Sequence, residues 1–375
     1  MFKLLITGGH LTPALSFIDY CQNKHPEIEI VFAGREFAQL ANLQPSWEKE
    51  EIEKRELKFI SFNGEKSHRF NPLSFLRSCY QAKKILQTEQ ITHVLSFGGY
   101  LAVPFALGAK KLKLPLVTHE QTRVLGRANR FISAFADYIA LSFIDTKTLF
   151  ARKSVFTGNP LRQELFHDPK KPPSWFKSLS TLPIIYLAGG SQGSKTLNEN
   201  FLLILSQLIE DFIIIHQVGR ASSKYQPLAT VKEFLRSHGL SPANYYPREF
   251  LSATELAYFL PRLHLAISRA GANTVAELTA FQVPTLYIPL PFANYQEQLL
   301  NAQALVKKEA AMVLNQDQLV PSLLLEKINH LSSQTKTIRD NLSPFSYNQR
   351  ANEKIFALLT QASQKRNQVA LKSKK

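Results

Sequence analysis

His10 follows Thr7-Gly8-Gly9 at the end of an apolar run, and Leu11-Thr12-Pro13 follows it. Glycines here let backbone N–H groups approach a ligand, and a helix N-terminus favours an anion. Pro13 suits a first helical turn. A histidine at the tip of such a turn could act as a general base; the plainer alternative is a structural histidine in a tight β-to-α turn. A second constellation spans residues 265–304. There Ser268-Arg269-Ala270-Gly271 ends a strand, Asn273-Thr274 opens a helix, and Glu277 lies one turn on. Past a second strand, a loop bracketed by Pro289 and Pro291 leads to Asn294, Gln296, Glu297 and Gln298. Carboxylates accept paired hydrogen bonds, and amides both donate and accept. Glu277, Gln296 and Gln298 therefore suit a polyhydroxylated ligand: a ribose, a sugar, or both.

A third constellation is Leu187-Ala188-Gly189-Gly190-Ser191-Gln192-Gly193-Ser194, before an expected helix over 195–209. A glycine turn between strand and helix offers free N–H groups, the positive end of the helix dipole and a hydroxyl, which together suit a diphosphate. It lacks the Lys-Ser/Thr of a P-loop and the full spacing of a dinucleotide fingerprint. Gly158-Asn159-Pro160-Leu161-Arg162 offers a guanidinium for phosphate. The sequence has no Asp-x-Asp. The expectation is that no metal or other cofactor is required, and that helix dipole and Arg162 neutralise the diphosphate.

The elements that must position these groups alternate. Strand-like runs are expected at 3–6, 29–34, 57–62, 93–97, 114–119, 138–143 and 154–158. After a polar, proline-bearing stretch they resume at 184–188, 212–218, 245–250, 265–267, 285–288 and 311–314. Strands alternating with helical stretches imply parallel sheets with right-handed crossovers. The expected fold class is α/β: two tandem doubly wound, Rossmann-like domains with a cleft between them. In such sheets ligands bind beyond the carboxyl ends of the strands. Three strand-end loops of the first half, 7–12, 97–101 and 118–122, cluster glycine and polar residues on one rim. Arg123, Arg127 and Arg130 are spaced as one cationic helical face.

At 375 residues, two domains are favoured. Cys21 and Cys79 stand far apart, which argues for a reducing compartment and against a structural zinc site. Neither a signal peptide nor a transmembrane segment is expected, so the chain reads as soluble and cytoplasmic. Its formal net charge of +16 implies an anionic partner: nucleic acid, a phosphorylated ligand or anionic lipid. Nucleic acid would explain the charge but not the glycine turns. Residues 68–86 mix Leu73, Phe75, Leu76 and Tyr80 with Arg69, Arg77, Lys83 and Lys84 at helical spacing. Such a helix either packs on the sheet or meets an anionic membrane surface.

Taken together, these pieces resemble one family. The segments TGGHLTPAL, FGGYLAVP, HEQTRVLGRANR, GNPLR, GGSQGS, LNE, SRAGANTVAEL and NAQAL follow its order from about residue 3 to 310. It is the MurG family, the GT-B glycosyltransferases that complete the lipid-linked precursor of peptidoglycan. The resemblance implies an inverting transfer of N-acetylglucosamine from UDP-N-acetylglucosamine to the 4-hydroxyl of an N-acetylmuramoyl-(pentapeptide)-diphospho-undecaprenol lipid.

It also implies the following roles. His10 is the base, with Glu120 orienting or replacing it. Thr7, Gly8, Gly9, Tyr100, His119, Gln121 and Asn129 line the acceptor side. Arg162, Ser191, Gln192 and Gly193 hold the donor's diphosphate. Phe250 and Leu251 flank the uracil, Glu277 accepts the ribose hydroxyls, and Ala272, Asn273, Thr274 and Gln298 read the sugar. Implied domains are 1–164 for the acceptor and membrane face, a linker at 165–182, and 183–340 for the UDP-sugar. A helix at 341–362 returns to the first domain, and a basic tail follows at 363–375. A lipid acceptor implies a peripheral site on the inner face of the cell membrane, with 68–86 as the docking patch and no nucleic-acid partner. The sequence departs from the family's usual pattern in a shorter first glycine loop, in Thr122 after His-Glu-Gln, in Arg123 and Arg127, and in Glu297. The alternatives are a related GT-B transferase acting on diacylglycerol and a non-catalytic nucleotide-sugar-binding partner.

Overall fold

The computed structural model describes residues 2–37, 46–62, 71–146, 148–178, 180–190, 192–222, 225–240, 243–292 and 296–372. The chain divides into two units, Met1–Gln163 with Asn348–Lys375, and Glu164–Tyr347.

The first unit holds seven strands: β1 (Lys3–Thr7), β2 (Glu29–Gly34), β3 (Lys58–Ser61), β4 (His93–Ser96), β5 (Leu116–Glu120), β6 (Tyr138–Leu141) and β7 (Ser154–Phe156). All pair in parallel, in the order β3-β2-β1-β4-β5-β6-β7. Alternate residues of β1 feed opposite faces, as the two-residue period of a strand requires. Leu4 and Ile6 pack with Phe17 and Ile18 of the helix Leu11–Lys24, whereas Leu5 packs with Leu86, Phe105 and Ala106 on the other side. Both faces are covered, so the strands read as continuous apolar runs.

The helix Ala351–Lys372 belongs to this unit. It lays Ile355, Leu358 and Leu359 onto the face bearing Leu4 and Ile6, each residue no more than 4% exposed. Burial of each such side chain contributes about 2 kcal/mol. Asn352 donates from Nδ2 to Ser16 Oγ at 2.9 Å. The helix runs on to Lys372 through the stretch expected to be a tail, and Arg366 Nε donates to Asp137 at 2.9 Å.

The second unit holds six parallel strands: β8 (Ile184–Ala188), β9 (Ile213–Gln217), β10 (Tyr245–Arg248), β11 (Leu263–Ser268), β12 (Thr285–Tyr287) and β13 (Met312–Val313). Their order is β10-β9-β8-β11-β12-β13. Both sheets are therefore doubly wound, with the strand order reversing at β1/β4 in one and at β8/β11 in the other.

Within the stretch read as a linker, Trp175 and Phe176 pack on the second unit. Trp175 stacks on Phe259 with ring centroids 5.6 Å apart, Phe176 meets Phe259 edge-on at 5.1 Å, and Trp175 Nε1 donates to Glu255 at 2.5 Å. These two aromatic residues among lysines and prolines fasten the segment to the second unit.

Candidate functional site

In the first unit the rim is built by close approach of two glycine turns. A Cβ on Gly9 would lie 2.2 Å from the carbonyl oxygen of Gly98. Gly98 and Gly99 both hold φ of +78°, which an L side chain rarely adopts. Gly8 spends its N–H on Ala33 O at 3.1 Å. Gly8 and Gly9 thus bring the end of β1 close against the turn after β4. Thr7 is fully buried, and its hydroxyl has no partner among the described residues.

His10 caps the helix Leu11–Lys24 with extended backbone, and its side chain makes no capping bond. Its Nδ1 lies 2.6 Å from the Gln121 amide. Burial pulls its pKa below 6.5, opposed by the Glu120 charge. The positive end of the helix acts in the same direction as burial. His10 is therefore a neutral imidazole at physiological pH, the form a general base needs.

Glu120 is 1% exposed and fully engaged. Oε1 accepts from the Thr122 N–H at 3.0 Å and the Thr122 hydroxyl at 2.8 Å; Oε2 accepts from the Gly126 N–H at 2.9 Å and Asn129 Nδ2 at 3.0 Å. Thr122, a departure from the family's usual residue, thus supplies two of the bonds. Glu120 acts as the clamp of the 121–126 loop and reaches His10 through its field.

That clamp also explains one difference from expectation. Arg123 lies in the loop, and the helix begins only at Arg127, so Arg123, Arg127 and Arg130 do not form one helical face. Arg123 instead pairs with Asp145 and lies over the Phe143 ring at 4.2 Å.

His119 and Asn129 are buried and bonded inward. His119 Nε2 lies 3.0 Å from Ser142 Oγ and 3.4 Å from Gly158 O, and burial pushes its pKa to about 3. Asn129 donates to His119 O and accepts from Thr118 Oγ1 at 2.8 Å. Both shape the wall behind the rim. Tyr100 is half-buried in the turn before the helix Ala102–Leu112, and burial raises its phenol pKa. Arg162 belongs to this unit too; Leu161 beside it accepts from Ser16 Oγ at 2.6 Å, tying the 158–162 loop to the first helix.

In the second unit, two further glycine turns cross. A Cβ on Gly193, at φ +73°, would meet Val218 O at 2.1 Å, and one on Gly219 would meet Gly193 Cα at 2.3 Å. Gly190, at φ +90°, faces open space, and so does Gly271. These two open positions follow β8 and β11, neighbouring strands at the sheet's switch point. Ser194 caps the helix Lys195–Leu202, its Oγ accepting from Leu197 N at 3.4 Å. That helix ends at Leu202, and a second short one, Leu205–Leu208, completes the expected 195–209 stretch. Ser191 lies outside the described residues. Gln192 is exposed, and Gly193 donates its N–H to Gly190 O at 3.1 Å.

Phe250 is partly exposed under the Arg220 guanidinium, 4.7 Å from the ring centre. Leu251 is fully buried, so only its backbone is left to face a base. Its N–H donates to Gln217 Oε1 at 3.1 Å. On the helix Ala272–Ala280, Ala272 is buried whereas Asn273, Thr274 and Glu277 lie on the half-exposed side, as their i, i+1 and i+4 positions allow. Gln298 accepts from Leu290 N at 3.0 Å and so braces the proline loop. Asn294 is outside the described residues.

Three residues with no role assigned from sequence complete this unit's site. Gln217 also donates to Gly190 O at 3.4 Å, joining the glycine turn to the 250–251 corner. Asn301, fully buried, donates to Ala270 O at 3.1 Å. Arg269, 8% exposed, donates to Ser194 Oγ at 2.6 Å, Ile288 O at 2.9 Å and Gln316 Oε1 at 2.5 Å. A buried arginine at a strand end and a lone asparagine on an apolar helix face were the available signals.

The glycosyltransferase family 28 N-terminal domain matches residues 7–141, and the family 28 C-terminal domain matches 184–357. A protein of Halalkalibacterium halodurans named UDP-N-acetylglucosamine--N-acetylmuramyl-(pentapeptide) pyrophosphoryl-undecaprenol N-acetylglucosamine transferase is 31% identical over 87% of this chain and 88% of its own. A protein of the same name from Listeria welshimeri is 32% identical over 88% of this chain and 92% of its own. Among solved structures, Acinetobacter baumannii MurG superposes with a TM-score of 0.72 at 22% identity, over 96% of this chain and 100% of that one, and shares the fold. The GT-B architecture, the two family 28 domains and the near full-length identity agree: the chain belongs to the MurG family of glycosyltransferases.

Proposed function

We propose that the protein transfers N-acetylglucosamine from UDP-N-acetylglucosamine to the muramyl sugar of a lipid-diphosphate-linked peptide precursor of peptidoglycan. The observation that carries this reading is identity above 30% across nearly nine-tenths of the chain to relatives named for that transfer. The glycine turns at both switch points agree with it.

The reaction is an inverting displacement. The acceptor 4-hydroxyl oxygen forms a bond to the donor's anomeric carbon, the bond from that carbon to the diphosphate oxygen breaks, and UDP leaves with the electron pair. The hydroxyl proton passes to His10. The transition state has oxocarbenium character, with charge growing on the departing diphosphate. Backbone N–H groups of the glycine turn after β8 and the dipole of the helix Lys195–Leu202 meet that charge without a metal. A preorganised donor of this kind contributes about 3 kcal/mol. Glu277 accepts the ribose hydroxyls, and Asn273 and Thr274 read the sugar.

Among the described residues no helix is long and apolar enough to cross a membrane. The helix Pro72–Thr88 leaves Leu73 78%, Leu76 63% and Tyr80 70% exposed beside Arg77 and Lys84. Apolar side chains flanked by cations suit an anionic membrane surface, and the lipid acceptor resides in one. We place the protein on the inner face of the cell membrane through this helix, with no nucleic-acid partner. The anomeric configuration of the product, read by proton NMR, tests the displacement: inversion is expected, and retention would require a different mechanism.

A further inference from the structure

The base assigned to His10 needs a lone pair on the nitrogen that faces the acceptor, and the other ring nitrogen is held by Gln121. That amide is the one side-chain hydrogen-bond partner of the imidazole among the described residues, its Nε2 placed 2.6 Å from Nδ1. The carboxylate that would ordinarily orient such a histidine, Glu120, spends its oxygens on Thr122, Gly126 and Asn129. His119, the other titratable group facing His10, bonds Ser142 and Gly158 instead. Gln121 is 9% exposed, and its Oε1 is buried without a partner, so a half-turn of the amide would bring that oxygen to Nδ1.

An amide exchanges its oxygen and its NH2 by a half-turn, so it can meet Nδ1 in either sense. With the NH2 donating, the Nδ1 lone pair is consumed, the ring proton sits on Nε2, and the histidine cannot accept a proton. With Oε1 accepting, Nδ1 carries the proton and the Nε2 lone pair is free. Second-side hydrogen bonds of this kind set which imidazole nitrogen is protonated.

We infer that Gln121 is the positioning residue for the catalytic base, its amide turned by a half-turn so that Oε1 rather than Nε2 meets His10 and accepts the Nδ1 proton, leaving the histidine's Nε2 to take the proton from the acceptor hydroxyl. A neutral orienter, unlike a carboxylate, leaves the imidazole pKa low. Burial lowers that pKa and the Glu120 charge opposes the lowering.

This inference rests on His10 being the base, and the test separates the two. Turnover of the full chain is measured against pH for wild type, Gln121→Leu, Gln121→Glu and His10→Gln, with UDP binding and thermal unfolding as controls. Gln121→Leu should lose about tenfold to hundredfold in kcat with UDP affinity unchanged. Gln121→Glu, which can only accept, should recover much of that loss and move the acid limb of the profile up by about one unit, because a carboxylate stabilises the imidazolium. Wild-type kcat and profile in Gln121→Leu, or an unmoved acid limb in Gln121→Glu, would overturn the role of Gln121. Wild-type turnover in His10→Gln would instead overturn the base itself. Nitrogen-15 histidine spectra of the wild type supply a readout independent of variant folding: a neutral His10 protonated at Nδ1 is expected, and one protonated at Nε2 contradicts the inference.

Discussion

Arg269, at the end of β11, donates to the hydroxyl of Ser194, which caps the helix after the β8 glycine turn. The same guanidinium holds the carbonyls of Ile288 and Pro289 and the amide of Gln316. It thereby joins the glycine turn after β8 to the loop after β12 with a buried charge.

Replacing Arg269 by Met should therefore do two things. Stability should fall by about 2–3 kcal/mol, since several buried acceptors lose a charged donor. UDP affinity should fall as well, because the Ser194 cap and the turn ahead of it lose their brace. Urea unfolding and calorimetric UDP titration report the two effects separately; an unchanged UDP affinity would make Arg269 a stability residue only.

Gly190 and Gly193 should respond differently to alanine although both hold positive φ. A Cβ at Gly190 enters open space, so the cost is backbone strain of about 1 kcal/mol. A Cβ at Gly193 would press on Val218 O at 2.1 Å, and the crossing of the two turns must open. Gly190→Ala should fold and lose donor affinity, whereas Gly193→Ala should unfold at markedly lower temperature in a thermal scan.

These two glycines show where sequence and structure part. The central strands, such as β1, β2, β8 and β11, were legible because they are covered on both faces and read as apolar runs, and the switch points follow from the strand order. The glycine turns were legible as positions, but not their division of labour: Gly9 and Gly193 serve close backbone approach, Gly190 and Gly271 open space. Glu120 took from the resemblance the role of orienting or replacing the base at His10. Its four bonds within the loop become visible only when Gly126 and Asn129 fold back on it. Gln217, Arg269 and Asn301 act across strands that are distant in sequence, and nothing local marks such partners.

Buried neutral histidines should make stability depend on pH. The pKa of His119 is about 3 in the folded chain, against 6.5 for an ordinary histidine, and that of His216 is also about 3. Between those limits the unfolded chain binds more protons, so stability rises with pH through that window and is fully present above about 6.5. The urea midpoint should fall as pH drops from about 6.5 towards 3, and the slope should lessen in His119→Gln.

Docking through the helix Pro72–Thr88 should depend on its exposed apolar residues more than on the half-buried Phe75. Changing Leu73, Leu76 and Tyr80 together to Ser should abolish cosedimentation with vesicles containing anionic lipid, with activity on a water-soluble acceptor retained. Binding equal to wild type would move the membrane contact elsewhere.

The most direct test of the whole account is UDP release by the purified chain from UDP-N-acetylglucosamine, with and without a lipid-diphosphate N-acetylmuramoyl-peptide acceptor. Release that depends on the acceptor, with one N-acetylhexosamine added to it by mass spectrometry, is the expected result. UDP binding with no acceptor-dependent release and no new disaccharide would contradict it.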